Sequence, residues 1–353
     1  MTVSNVLLSI LWLALIIYTV TGGADFGGGM LELFAVGKSG ARQDALIDES
    51  IDPVWEANHV WLIFLLVVFF TAFPPAFAAI NIVLFIPLLL ALVGIVLRGA
   101  AFAFKMHGII ERSQTVKILS RIFSVASAMT PFFLAVAAAA IASGHIVIQN
   151  KSQIVTNTGS YWLTPFALTI GAMALTLCVT IAAIYLTVEA TSRGDTELAE
   201  AFRRRGLIAG ALTAALGLLG LVLSPSEASF LWNGMLDHAI PVVIVTMLIG
   251  LAAAAALWFK RYGWARVLIV AEAACLLLSW GVAQFPYLIP PDVKVENASS
   301  PQNTQVLLLV GVIIALIIVG PSLWFLYYVF KLKKVTDVGE GVAQNHVAEP
   351  AAE

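Results

Sequence analysis

Residues 21–32 read Thr-Gly22-Gly23-Ala-Asp25-Phe-Gly27-Gly28-Gly29-Met-Leu-Glu32, an acid bedded in glycine inside an apolar run. Further on comes Ser50-Ile-Asp52-Pro-Val-Trp55-Glu56-Ala-Asn58-His59-Val-Trp61, which gathers acids, an amide, an imidazole and two indoles. A charged side chain at the centre of a hydrocarbon span costs about 2.5–3.5 kcal/mol or more, and it marks a functional site by default. Each glycine weakens a helix by about 1 kcal/mol relative to alanine. Something must offset both costs. Carboxyls taken out of water, with an amide and an imidazole nearby, are suited to loading and passing protons.

The elements that position these residues are membrane helices. The chain is 60% hydrophobic and 11% charged, where soluble domains carry about a quarter charged residues. The net charge of −2 excludes the basic footprint of a nucleic-acid binder. The opening Met-Thr-Val-Ser-Asn-Val-Leu has no basic stretch and no small-residue cleavage site, so it reads as a retained first span. Nine apolar runs are long enough to cross a bilayer: about 5–36, 56–78, 79–104, 118–147, 161–190, 206–224, 237–259, 264–289 and 304–330. The predicted fold class is all-α and polytopic. Spans one to four and five to eight are expected to form two four-helix bundles, with the ninth helix peripheral. Residues 1–335 form a single membrane domain and 336–353 a disordered cytoplasmic tail in this reading.

Of the 19 Lys and Arg residues, only Lys151 and Lys294 fall on one side of such a layout. The positive-inside rule then places the N-terminus outside and the C-terminus in the cytoplasm. Asp25 and Glu32 are seven residues apart and share a helical face towards the cytoplasmic end of span one. Span two starts from that same side, so Asp52, Trp55, Glu56, Asn58 and His59 are expected to meet them there. Plainer readings stay open beside this one. Glu32 and Asp52 can be solvated helix ends, Asp52 with Pro53 can cap span two, and His59 can be a hydrogen-bonded core residue.

Other residues carry less. His145 and His238 near the outer ends of spans four and seven would allow a haem between them, although no spacing motif supports one. Asp237 is expected to cap span seven. Glu189 falls at the inner end of span five. Glu272, inside span eight, belongs either to a second polar path or to a pair with Arg266 or Arg261. Cys178 and Cys275 read as small apolar fillers. No phosphate loop, Cys/His metal set or Ser/His/Asp triad occurs.

The motifs Gly22-Gly-Ala-Asp25-Phe-Gly-Gly-Gly-Met-Leu and Ser50-Ile-Asp-Pro-Val-Trp55-Glu56-Ala-Asn58-His-Val-Trp61-Leu resemble the first two spans of subunit II of cytochrome bd-type quinol oxidases. Leu97-Arg98-Gly-Ala-Ala-Phe102, Tyr185-Leu186, Trp264-Ala and Gln284-Phe-Pro-Tyr287 continue the likeness in order over roughly residues 5–330. The resemblance implies a subunit of a two-subunit respiratory enzyme of the bacterial or archaeal cytoplasmic (inner) membrane that oxidises quinol and reduces O2 to water. It implies that haem b and haem d belong to a partner, subunit I. It also implies that this chain stabilises the assembly and contributes a cytoplasmic proton path through Asp25, Glu32, Glu56, Asn58 and His59. In some members a small single-span subunit or a structural quinone is added. Gly22, Gly23, Gly27, Gly28, Gly29, Trp55, Trp61 and Arg98 enter as structural motif residues, with no catalytic residue and no metal ligand in this chain. The acid after the motif's first tryptophan is Asp in well-known members and Glu56 here. On this reading Glu56→Gln and Asp25→Asn slow oxygen reduction more than they lower haem content. The rival readings are a secondary transporter with a glycine-broken ion-binding helix and a purely structural assembly subunit.

Overall fold

The computed structural model describes residues 2–35, 39–107, 114–146, 148–149, 153–154 and 161–327. Within them, the side chains of 51–54, 56–57, 105–107, 114–116, 148–149, 153–154, 323–324 and 326–327 lie outside the described residues. The elements are α1 (Val3–Leu31, running on as a 3-10 turn Glu32–Phe34), α2 (Gly40–Ala72), α3 (Pro74–Val83), α4 (Phe85–His107) and α5 (Gln114–Ala142). After a two-residue strand pair come α6 (Pro165–Ser192), α7 (Thr196–Glu227), α8 (Ser229–Gly234), a π turn Met235–Ala239, α9 (Ile240–Trp258) and α10 (Tyr262–Gln284). A second small hairpin (Tyr287–Ile289 with Val293–Lys294), α11 (Val295–Ala298) and α12 (Gln302–Tyr327) complete the described chain.

Local chemistry sets the helix ends. Thr164 accepts from the Ala167 N–H and Pro165 follows it, a sound start for α6. The Glu227 carboxylate at the end of α7 accepts from the Phe166 N–H at 2.7 Å, placing negative charge at that same helix start. Gly194, with φ +74°, turns α6 into α7, and Asp195 caps α7 by accepting from the Leu198 N–H at 3.0 Å.

Among the described residues, eight helices are long and apolar enough to span a membrane, or nine if the bent pair Asn58–Ala72 and Pro74–Val83 counts as one. That bend corrects the expected second and third spans. The chain turns by 116° at Phe73, α3 takes up residues 74–83, and the next long helix begins only at Phe85. Two successive prolines lack the N–H donors that would carry α2 onward. Two further corrections concern caps. α2 begins at Gly40, so Asp52 and Pro53 lie well inside it and do not start it. Asp237 lies in the π turn within a continuous run Ser229–Trp258, so it does not start a helix either.

The fold divides into a unit of residues 1–305 and a second unit from Val306 that holds most of α12. In the first, α1 packs against α2 and α5 from one half of the chain and against α6 and α10 from the other. The two expected four-helix groups therefore share α1 between them. Its buried face carries Leu7, Leu11, Ala14, Tyr18, Gly22, Asp25 and Gly29, with Glu32 just beyond. In the second unit, α12 is apolar around its whole circumference, with Leu307, Ile313, Ile314 and Ile317 exposed. The tail from residue 328 lies outside the described residues.

Candidate functional site

The glycines of α1 exist to let other helices come close. A Cβ on Gly27 would stand 2.0 Å from the backbone oxygen of Cys178 on α6. One on Gly29 would stand 2.3 Å from the Ser127 hydroxyl on α5, and one on Gly22 would stand 3.0 Å from Asn58 Oδ1 on α2. One short stretch of α1 thus has a neighbour on each side, and Asp25 lies in the middle of it.

Asp25 is wholly buried and meets Arg98 of α4, itself 1% exposed. Arg98 Nη1 donates to Asp25 Oδ2 at 2.7 Å and Nη2 donates to Oδ1 at 2.5 Å, a bidentate fork. Nη2 also reaches the Asp25 backbone oxygen at 3.3 Å, and Nε donates to Ser127 Oγ at 2.9 Å. The Ser127 hydroxyl donates a hydrogen bond to the Phe123 carbonyl at 2.7 Å, which leaves its oxygen free to accept from the guanidinium. Asn58 Nδ2 donates to Asp25 Oδ2 at 3.2 Å. The guanidinium plane is flanked by the rings of Phe26 and Phe123, at 4.9 and 4.8 Å. Four helices therefore converge on one ion pair whose donors and acceptors are nearly all used.

This arrangement decides what Asp25 can do. A buried pair is tolerable only when both charges stay and their remaining hydrogen-bonding capacity is met. A proton added to Asp25 would leave Arg98 as an uncompensated buried cation. The pair is a charge clamp that joins α1 to α4, with Ser127 of α5 and Asn58 of α2 completing its hydrogen bonds.

An aromatic row leads away from it. Phe123 stacks with Phe102 at 6.0 Å, Phe102 with Trp55 at 5.2 Å, and Trp55 with His59 at 4.8 Å. His59 Nδ1 lies 2.8 Å from the Trp55 carbonyl, and since a carbonyl oxygen only accepts, Nδ1 is the nitrogen that donates there. Glu32 is buried at the end of α1, in the 3-10 turn. Of the residues singled out in the sequence, Asp25, Asn58 and Arg98 thus touch directly, and His59 joins through Trp55. Trp61 stands apart, meeting only the Phe64 ring at 5.9 Å among the described aromatic contacts. The side chains of Glu56 and Asp52 lie outside the described residues.

At the same end of this unit, exposed ion pairs tie α2 to the α6–α7 turn. Arg42 meets Asp195 at 3.0 Å and also Glu197, while Arg193 meets Glu49 at 2.8 Å and Glu189 at 2.9 Å. The bonds to Glu197 and Asp195 hold the Arg42 guanidinium above its ordinary pKa. Burial works to lower that of Arg193, and its bonds to Glu189 and Glu49 outweigh this and raise it. Arg205 Nη2 donates to the Phe34 carbonyl at 2.8 Å, closing the end of α1.

His145 and His238 are both exposed on this chain. Among the described residues no group of three His, Cys, Asp or Glu side chains could hold a metal ion. Glu272 pairs with neither Arg261 nor Arg266. The sequence reading missed Arg98 as the partner of Asp25, having counted it with the basic residues at the membrane face. Its signal was an arginine with apolar neighbours on both sides, Ile-Val-Leu-Arg98-Gly-Ala-Ala, in a half of the chain that also holds one deep acid.

Comparison with known proteins follows the same residues. The family model "Cytochrome bd terminal oxidase subunit II" matches residues 3–330. The putative cytochrome bd menaquinol oxidase subunit II of Bacillus subtilis is 23% identical over 336 residues, covering 93% of this chain and 95% of that protein. Cytochrome bd-I ubiquinol oxidase subunit 2 of Escherichia coli K12 is 24% identical over 357 residues, covering 90% and 91%. A chain of the bd oxidase from Geobacillus thermodenitrificans has the same fold, with a TM-score of 0.75 at 21% identity over 94% of this chain and 99% of that one.

Proposed function

The chain belongs to the subunit II family of cytochrome bd terminal oxidases, and from that we propose how its residues serve the complex. It is a multi-pass membrane subunit of a quinol oxidase whose complex holds haem and a partner subunit I. In this reading the complex sits in the cytoplasmic membrane with the N-terminus of the chain outside. It oxidises two membrane quinols and reduces one O2 to two waters. Haem b and haem d, held by subunit I, carry the electrons. A small single-span subunit and a structural quinone are compatible additions.

This chain has two tasks. The first is to hold the assembly through the Asp25–Arg98 clamp and the glycine-lined contacts of α1. The second is to bring protons from the cytoplasmic side, where Glu56, Glu32 and His59 supply the titratable groups and Asn58 joins them to the clamp. Asp25 in this account is the fixed counter-charge at the inner end of the path. Protons consumed at O2 must be drawn from the cytoplasm if turnover is to build a potential, and the polar cluster shares its end of the molecule with the basic residues. The observation that carries the reading is the family match over residues 3–330.

The test of the assignment is a visible spectrum. Expressed without its partner the chain is expected to be colourless. Co-purified with subunit I it should show b- and d-type bands and quinol oxidase activity. A stable colourless homo-oligomer that takes up solutes would contradict the assignment and favour a transporter.

A further inference from the structure

Glu272 is a half-buried acid that neither the clamp nor the proton approach uses. It sits at the middle of α10, which runs from Tyr262 to Gln284. The carboxyl packs against α9 where Gly250 leaves room, since a Cβ there would stand 2.7 Å from Glu272 Oε1. Among the described residues, no cation or hydrogen-bond donor reaches it. α9 has no charged residue, and Arg261 and Arg266 are exposed at the end of α10. Seven residues along the same helix face, Ser279 meets Thr246 of α9 at 3.4 Å. The α9–α10 seam therefore holds a carboxyl layer and a hydroxyl layer between apolar residues.

A carboxylate left in such a place without a counter-charge is too costly to persist, so the group must be neutral, paired or hydrated. The Gly250 notch fits an uncharged acid packed against bare backbone. We propose that Glu272 is a proton-holding site in the α9–α10 seam, kept as the neutral acid within the membrane and open to a membrane-soluble carbodiimide. The residue is only half-buried, and Leu248 and Leu251 on α9 are exposed nearby, so the reagent has an apolar approach. The reaction is an addition. The acid's proton moves to one carbodiimide nitrogen while the carboxyl oxygen bonds the central carbon, giving an O-acylisourea. Transfer of the acyl group from oxygen to nitrogen then leaves a stable N-acylurea. Nothing is oxidised or reduced, and the chain gains the full mass of the reagent.

The experiment treats the complete oxidase in membranes with dicyclohexylcarbodiimide and maps adducts by mass spectrometry after digestion. The expected adduct is on Glu272, well above any on the exposed Glu197 and Glu296, and it disappears in Glu272→Gln. That variant should assemble with subunit I and melt within a degree or two of the parent, because one neutral group replaces another of the same shape. Absence of an adduct at Glu272 would overturn the proposal. So would a Glu272→Gln complex that melts markedly lower, which would mean that the glutamate is ionised and paired with a cation from another subunit.

Discussion

Asp25 and Arg98 lie 73 residues apart and meet as a bidentate pair, 0% and 1% exposed, that links α1 to α4. The glycines around Asp25 are explained by that meeting. They admit α2, α5 and α6 closely enough that Asn58 and Ser127 complete the hydrogen bonding of the pair.

Removing one charge should therefore be far worse than removing both. Arg98→Leu leaves a buried carboxylate unpaired and Asp25→Leu leaves a buried guanidinium, at about 3–5 kcal/mol each. The double variant Asp25→Leu/Arg98→Leu should recover most of that loss, since apolar replacements of buried pairs are often neutral. Melting of the three purified complexes checks this, and a double variant as unstable as the sum of the singles would refute the clamp.

The support of Arg98 can be tested more gently. Ser127→Ala removes the acceptor for Arg98 Nε while leaving the carboxylate fork. The expected loss is about 1–3 kcal/mol for a buried charged donor left unsatisfied. Haem content per complex should fall only slightly.

Helix approach gives a graded pair of glycine variants. At Gly27 the added Cβ meets the Cys178 backbone oxygen, which cannot turn aside, whereas at Gly23 it meets the flexible end of Ile181 at 2.7 Å. Gly27→Ala should lower the yield of assembled complex strongly, and Gly23→Ala should cost about 1–3 kcal/mol at most. Equal yields of the two would argue against the tight α1–α6 contact.

Charges outside the core should matter little. Arg42 is half-exposed in its pairs with Asp195 and Glu197, and such pairs are worth about 0.2–1 kcal/mol. Arg42→Ala should shift the melting point by no more than a few degrees, with the shift shrinking further in high salt.

The sequence and the structure agree where long apolar periodicity alone is decisive. The all-α class and the position of Asp25 within a long apolar first helix could be read from hydrophobic runs, while the nine expected spans are met among the described residues only if the bent pair counts as one. Pro74 and Pro75 mark the turn at Phe73 in the sequence, but they do not say whether the segment after it crosses the membrane or lies across it. α2 starts earlier than expected because its first turns, Gly40-Ala-Arg-Gln-Asp, are polar and sit beyond the apolar stretch. The partnership of Asp25 with Arg98 was hidden for another reason. Contacts between spans depend on which helix faces which, and a single sequence has no period that reports it. The glycines were visible from the start, yet their meaning as approach surfaces needed the neighbours at Cys178, Ser127 and Asn58.

The most direct measurement compares quinol oxidase turnover per haem with haem per complex in Glu56→Gln and Asp25→Asn. The Arg98 partner changes the outcome expected for Asp25 from the sequence alone. Glu56→Gln should keep its haem and turn over slowly, as the loss of a proton-carrying group requires. Asp25→Asn should lose haem and assembled complex together, with near-normal turnover in each complex that remains. A Glu56→Gln enzyme of unchanged turnover, or a fully assembled Asp25→Asn enzyme that turns over slowly, would contradict the division between a titrating approach and a fixed clamp.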